Sequence, residues 1–221
     1  MMAVLAPLAT FGAVGSLVTP GEAERTAQNI LASQGLFRWG VLTLIVVVAL
    51  DIIAAAALLT LFTPVSQGVS MLAAWFRVVY GAVYMVAILQ LVLALDLLDE
   101  PKQALRVIEA FNTLWVVALI LFAVHLLLIG YLTYRSGFMA KAFGILLGVA
   151  SLGYMADGFL AVLVANPSVN LGQFTFVGEV ALILWLLLVG RRKSFRTVEP
   201  GPPDTLDPVP GARVPAVGLP V

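Results

Sequence analysis

Apolar residues run in long, nearly unbroken stretches along this chain, and most polar residues lie between them. Six stretches meet or approach the roughly 20 residues that a helix needs to cross a bilayer. They cover residues 2–19, 38–62, 71–97, 113–134, 142–165 and 173–190. Because backbone groups in lipid must hydrogen-bond within their own segment, each stretch is expected to be helical. The pattern predicts an all-α, polytopic membrane helical bundle of about six transmembrane helices within residues 1–198.

The first stretch and the linkers add detail to this outline. A signal peptide usually starts with basic residues, and residues 2–19 contain none, so we interpret this stretch as a retained span. "TPGE", Thr19 to Glu22, has the form of a capping box with proline at the first helical position, and predicts that an amphipathic helix, "EAERTAQNILASQGLF", follows. "DEPKQALRVIEAFN", Asp99 to Asn112, predicts a similar helix outside the hydrocarbon. The proline- and glycine-rich residues 199–221 predict a disordered tail.

Lys and Arg residues are distributed unevenly between the two sides that six spans define. One side has Arg135, Lys141, Arg191, Arg192, Lys193 and Arg196, with Arg77 near it. The other side has Arg25, Arg38, Lys102 and Arg106. Basic residues favour the cytoplasmic side, so this count predicts a cell (inner) membrane protein with both termini in the cytoplasm. Tryptophans near span ends are expected to anchor the membrane interfaces: Trp39, Trp75 and Trp115.

Composition narrows the possible functions. The chain is 62% hydrophobic and 11% charged, whereas soluble domains are about 45–50% apolar and about 25% charged, so lipid must surround most of it. The net charge of zero argues against a nucleic-acid partner. With no cysteine and one histidine, the chain does not supply the roughly three ligands of a catalytic zinc site. It also has no nucleophile elbow and no phosphate-binding glycine loop. We therefore expect no cofactor and no metal.

Polar residues inside the apolar stretches are the candidates for function. Asp51 lies near the middle of the second stretch, and Arg77 lies about a turn and a half into the third. On adjacent antiparallel helices their depths differ by about 7 Å at ~1.5 Å per residue, which an arginine side chain can bridge. Tyr80 and Tyr84 share a helix face with Arg77, and His125 lies at a similar depth. These five residues predict one inward polar stripe.

Asp157 and Glu179 form a second predicted group, in the outer halves of the fifth and sixth stretches. Each group allows two interpretations. The charges of the stripe can fix the register of the helices, or they can line a cavity or ion path in which neighbouring carboxylates share a proton. His125 can be an interhelical hydrogen-bonding residue or a proton carrier. Asp157 and Glu179 can instead reach outer water or cap a loop.

Several spaced motifs resemble one known family. "GYLTYRSGFMAKAFGILLGVASLGYMAD", Gly130 to Asp157, and "GEVALILWLLLVG", Gly178 to Gly190, are similar to the bacterial integral-membrane family called domain of unknown function 4386. The resemblance covers about residues 10–193 and implies a multi-pass membrane protein without an established activity. It places recurring polar positions at Arg38, Arg77, His125, Arg135, Asp157 and Glu179. The chain departs from the family in its shorter first span and in Tyr80, where an acidic residue is common.

Three classes of function remain on the sequence alone. The favoured one is a structural protein that binds a membrane-protein partner, a second copy or lipid. Two features favour it, because both suit close and specific helix packing: paired charges, and small residues such as Gly144 and Gly148 of a G-x-x-x-G motif. The alternative is a small transporter or channel that uses the charged path, although no inverted repeat is visible. An intramembrane enzyme comes last.

Overall fold

The computed structural model describes residues 2–164, and side chains from Leu5 onward. Within that range the chain contains helices and no strand, so the prediction of an all-α, polytopic membrane bundle is confirmed. Four helices are long and apolar enough to cross a membrane: α3 (Gln34–Phe62), α4 (Gln67–Asp96), α5 (Pro101–Arg135) and α6 (Lys141–Leu163). The sixth predicted span, residues 173–190, and the tail from residue 199 lie outside the described residues.

The first predicted span is shorter and less regular than its apolar pattern suggested. Helix α1, Met2–Pro7, continues as a π-helical segment, Leu8–Val14, and a 3-10 turn, Gly15–Leu17. The amide of Gly15 donates to the carbonyl of Thr10, five residues back, as in the wide turns of a π-helix. The segment packs on α3 at Gly40, where an added Cβ would lie 2.8 Å from the Cβ of Ala13. Its apolar length is thus used for packing against α3.

The predicted capping box at Thr19 is wrong. Gly21 adopts a φ of +77°, and the amide of Glu22 donates to the carbonyl of Thr19, so residues 19–22 form a type II-like turn with Pro20 at its second position. Helix α2 therefore begins only at Ala23 and runs to Ala32. Thr26 closes the turn, because its hydroxyl accepts from the Thr19 amide at 3.0 Å and donates to the Thr19 carbonyl at 3.1 Å.

Two predicted boundaries also move. Residues 34–37, assigned to the amphipathic helix, belong to the start of α3, after the break at Ser33. The second predicted linker helix, residues 99–112, is not separate, because α5 runs without interruption from Pro101 to Arg135. Its polar first turns and its apolar remainder form one rigid helix. Proline stands at the first helical position of α5, where its missing N–H costs no hydrogen bond.

The four long helices are joined by short loops and pack in chain order, α3 on α4, α4 on α5 and α5 on α6. Short loops make neighbouring helices antiparallel, so the end of α3, the start of α4, the end of α5 and the start of α6 share one side. We call this the 63–66/136–140 side, after its two loops. The rings of Phe62 and Phe138 stack there at 5.9 Å. Large apolar side chains cover the outer faces, as a surface in lipid requires.

Glycines set the close approach of α5 and α6. A Cβ added to Gly144 would lie 2.6 Å from the carbonyl oxygen of Gly130 and 2.8 Å from the amide nitrogen of Tyr134. The predicted helix-packing role therefore holds for Gly144. At Gly148 an added Cβ would meet nothing within 4 Å, although its amide lies near Gly130. The two helices touch through backbone at this crossing, which only a residue without a side chain allows.

Candidate functional site

The structure brings Asp51 and Arg77 together in the middle of the helix row. The Nη2 of Arg77 donates to Oδ1 of Asp51, which links α4 to α3 as an ion pair. Both residues are buried, with 6% and 9% of their surfaces exposed. A single charge at the bilayer centre costs about 2.5–3.5 kcal/mol on insertion scales, so each of these charges needs the other.

His125 extends this pair to α5 and to the backbone of α4. Its Nε2 lies 3.0 Å from Nη1 of Arg77, and its Nδ1 lies 2.9 Å from the carbonyl oxygen of Ala73. A guanidinium can only donate and a carbonyl can only accept. The geometry therefore assigns the proton of a neutral imidazole to Nδ1 and leaves Nε2 as the acceptor. We call Asp51, Arg77, His125 and the Ala73 carbonyl the ionic chain.

An aromatic side chain covers the ionic chain. The ring of Phe122 lies 5.3 Å from Cζ of Arg77, within reach of a cation–π contact, and 5.9 Å from the ring of His125. Phe122 also contacts Tyr80 at 5.0 Å and Tyr154 of α6 at 5.8 Å. This ring therefore joins α4, α5 and α6 around the buried charge. Sequence reasoning missed it, although Phe122 precedes His125 by three residues and so shares its helix face.

Tyr80 and Tyr84 are buried on the face of α4 that carries Arg77. Their rings stack on each other at 5.8 Å. Tyr84 also lies 6.5 Å from the ring of Trp115. Trp115 thus contacts the protein interior, and it differs from Trp39 and Trp75, which are 68% and 61% exposed as interface anchors should be. The two tyrosines continue the stripe as an aromatic stack.

The second predicted group is only partly described. Asp157 is buried on α6, beside Gly158, where an added Cβ would lie 2.4 Å from Cγ1 of Ile120 on α5. Glu179, its predicted neighbour, lies outside the described residues. Within residues 2–164, no group of three or more His, Cys, Asp or Glu residues could hold a metal ion.

One donor of the ionic chain remains without a protein partner. The Nε of Arg77 is fully buried and makes no hydrogen bond to the protein, and the same holds for Oγ1 of Thr133 on α5. Sequence reasoning also missed the Ala73 carbonyl, because a backbone acceptor one turn before Arg77 leaves no mark in the residue pattern. The chemistry of the site is therefore that of a nearly saturated buried ion pair with one spare N–H.

Comparisons with known proteins found similar sequences. A family model described as Domain of unknown function (DUF4386) matches residues 1–190. A protein of Archaeoglobus fulgidus, described as an uncharacterized protein, is 33% identical over 156 residues, which are 71% of this chain and 86% of that protein. No solved structure matches the chain. The match over residues 1–190 shows that the chain belongs to the DUF4386 family.

Proposed function

We propose that this chain is a structural membrane protein that binds a membrane-protein partner, a second copy or lipid through the outer faces of a fixed helical bundle. The observation that supports this proposal is that the ionic chain is nearly saturated within the protein. Both ring nitrogens of His125 are engaged within the protein, and so are both terminal nitrogens of Arg77. A proton carrier needs neighbours that can give up or take a proton. The neighbours of His125 are a guanidinium, which keeps its proton in proteins, and a backbone carbonyl, which does not take one.

The ionic chain suits the role of fixing helix register. It joins three helices, and the penalty of a lone buried charge makes any slip of one helix unfavourable. Close glycine contacts at Gly144 and Gly158 hold α6 against α5 in the same way. A bundle fixed at these points presents constant outer faces, which a binding partner in the membrane requires.

Ion flux through reconstituted vesicles tests this proposal. Purified protein is placed in liposomes, a pH gradient and a potassium gradient are applied, and the decay of each gradient is followed with a dye. We expect decay at the rate of protein-free liposomes. Faster decay with the natural sequence would overturn the proposal, and its loss in a folded Asp51→Asn variant would assign the path to the ionic chain.

A second candidate, a small transporter or channel, is favoured by one specific observation. The buried Nε–H of Arg77 lacks a protein partner, and such a donor can hold a water or an anion along a path. Ion flux that is lost when the charge of Arg77 is removed, and that persists when distant residues are changed, would support this candidate.

The orientation in the membrane is also a proposal. We place both termini in the cytoplasm of a cell in whose inner membrane the protein resides, because basic residues favour that side. The supporting count comes from the sequence: six basic residues, which are Arg135, Lys141 and the four within residues 191–196, against four on the other side. A reporter protein that is active only in the cytoplasm should be active when it is fused after Arg196. Alkaline phosphatase activity at that position would contradict the orientation.

A further inference from the structure

The two sides of the described bundle differ in charge. The two loops of the 63–66/136–140 side, with the helix ends next to them, contain two basic residues, Arg135 and Lys141, and no acidic residue. The opposite side of the described chain mixes both signs. Its acidic residues are Glu22, Glu24, Asp96, Asp99, Glu100 and Glu109, and its basic residues are Arg25, Arg38, Lys102 and Arg106. The cations at 135 and 141 therefore have no carboxylate from these loops to neutralise them.

Each of these two cations lies over an exposed tyrosine ring. Cζ of Arg135 is 5.8 Å from the ring centre of Tyr131, and Nζ of Lys141 is 5.3 Å from that of Tyr134. The tyrosines are 49% and 44% exposed at the end of a transmembrane helix, the level at which aromatic rings meet lipid headgroups. Cation–π contacts restrict both long side chains, so less conformational entropy is lost when they bind an anion.

The start of α6 adds backbone donors beside the two cations. No side chain caps this helix at Ala140, and Lys141 and Ala142 are exposed at its start. The amide of Phe143 donates to the carbonyl of Ala140, so the donors that can meet an anion at the positive end of the helix dipole are the amides of residues 141 and 142. Tyr134 and Gly144 are in close contact, which keeps the start of α6 next to the end of α5. Gly137, with a φ of +68°, makes the sharp reversal between them. Arg135 at the end of α5 and Lys141 at the start of α6 thus lie at neighbouring helix ends, on one exposed corner of the described bundle.

We propose that this corner, formed by Tyr131, Tyr134, Arg135, Lys141 and the first turn of α6, binds the phosphate headgroup of an anionic phospholipid. This inference rests on the proposed function, and it specifies the class of lipid that the protein binds. The lipid supplies one negative charge at headgroup depth, the two cations and the helix start receive it, and the tyrosine rings contact the glycerol region. Acyl chains then lie along the apolar outer faces of α5 and α6, where Leu127 and Ile145 are exposed.

The test compares lipid binding to matched variants. Purified protein in detergent micelles is titrated with phosphatidylglycerol or with phosphatidylcholine of the same acyl chains, and the apparent affinity is taken from the rise in melting temperature. We expect the natural chain to prefer phosphatidylglycerol. In an Arg135→Gln/Lys141→Gln variant the preference should fall about fivefold for each charge removed, because a basic residue near an anionic surface contributes about that factor. High salt should reduce it too.

Control variants separate this corner from general charge effects. Lys102→Gln/Arg106→Gln removes two exposed cations from the opposite side, and it should keep the preference. Arg135→Lys/Lys141→Arg keeps both charges and should also keep the preference, which shows that charge and not the particular side chain sets it. A melting temperature of the double Gln variant without lipid that equals that of the natural chain excludes a loss caused by misfolding. Sodium phosphate and glycerol 3-phosphate, tested as soluble anions, should not raise the melting temperature.

Three results would overturn the inference. The first is equal affinity of the natural chain for phosphatidylglycerol and phosphatidylcholine. The second is an equal loss of lipid preference in the Arg135→Gln/Lys141→Gln and Lys102→Gln/Arg106→Gln variants. The third is a rise in melting temperature with soluble phosphate that equals the rise with phosphatidylglycerol. None of them bears on the proposed function, which fails separately if the vesicles conduct ions. The two failures are therefore distinguishable.

Discussion

Removing one partner of the Asp51–Arg77 pair tests the energetics of the ionic chain. Asp51→Asn leaves the guanidinium of Arg77 charged, buried and held only by His125 and the Phe122 ring. Arg77→Gln leaves the carboxylate of Asp51 buried and withdraws the donor from Nε2 of His125. In both variants a buried charge remains without its opposite charge.

The magnitude follows from the burial of both side chains. Breaking a buried ion pair by removing one partner costs about 3–5 kcal/mol, because the remaining charge is not compensated. Each single variant should therefore lose about 3 kcal/mol of unfolding free energy. The double variant, Asn opposite Gln, buries no charge and keeps two amides that can hydrogen-bond. Its loss should be about equal to that of one single variant, which gives a coupling energy of about 2–3 kcal/mol.

The assay is reversible unfolding in mixed micelles with increasing denaturing detergent, followed by helical circular dichroism. The matched control is the exposed pair of Arg25 and Glu22, 3.4 Å apart with side chains 66% and 54% exposed. A cycle on that pair should give a coupling below about 1 kcal/mol, as exposed ion pairs do. Losses at Asp51 and Arg77 that add to within about 0.5 kcal/mol would refute the reasoning, because independent sites add in this way.

Three further changes have expected outcomes in the same unfolding assay. Gly144→Ala should lower the unfolding free energy by about 1–3 kcal/mol, because its Cβ would collide with the backbone of Gly130. Gly148→Ala should change the unfolding free energy by less than about 0.5 kcal/mol, because its Cβ would meet nothing within 4 Å. Equal effects of the two substitutions would contradict the close crossing of α5 and α6. His125→Leu should cost about 1–3 kcal/mol by leaving its two partners unpaired, and an unchanged midpoint would remove it from the ionic chain. Truncation at Thr197 should leave the midpoint unchanged, as the tail composition predicts, and a large drop would mean that the tail docks.

Much of the architecture could be predicted because lipid imposes it. Long apolar stretches in lipid must be helical, and short loops make neighbouring helices antiparallel. Four of the predicted spans therefore match helices of the structure within a few residues at each end. The exception is the start of α5, which lies further toward the N-terminus than predicted. Where that constraint ends, prediction became weaker. The turn at Gly21 depends on the left-handed backbone conformation of that one residue. The second predicted linker helix is the first part of α5, and a polar residue pattern does not show whether two helical segments are continuous.

The candidate site could be predicted in part for a similar reason. A charge in lipid needs an opposite charge at its own depth, and depth follows from residue counts, which brought Asp51, Arg77 and His125 together. Phe122 and the Ala73 carbonyl could not be placed by this argument, because an apolar ring and a backbone oxygen carry no charge to be matched. The rotation of each helix about its axis, which decides such contacts, is set by packing against its neighbours.

The protonation of His125 tests the central claim most directly. It is the only histidine of the chain, so nitrogen NMR of protein labelled with ¹⁵N-histidine in lipid bilayers reports on this residue alone. With Nδ1 donating to Ala73 and Nε2 accepting from Arg77, we predict a single neutral tautomer at pH 7, protonated at Nδ1, and a change of this signal in Arg77→Gln. A ring protonated at Nε2, or at both nitrogens, would contradict the ionic chain and return His125 to the role of a proton carrier.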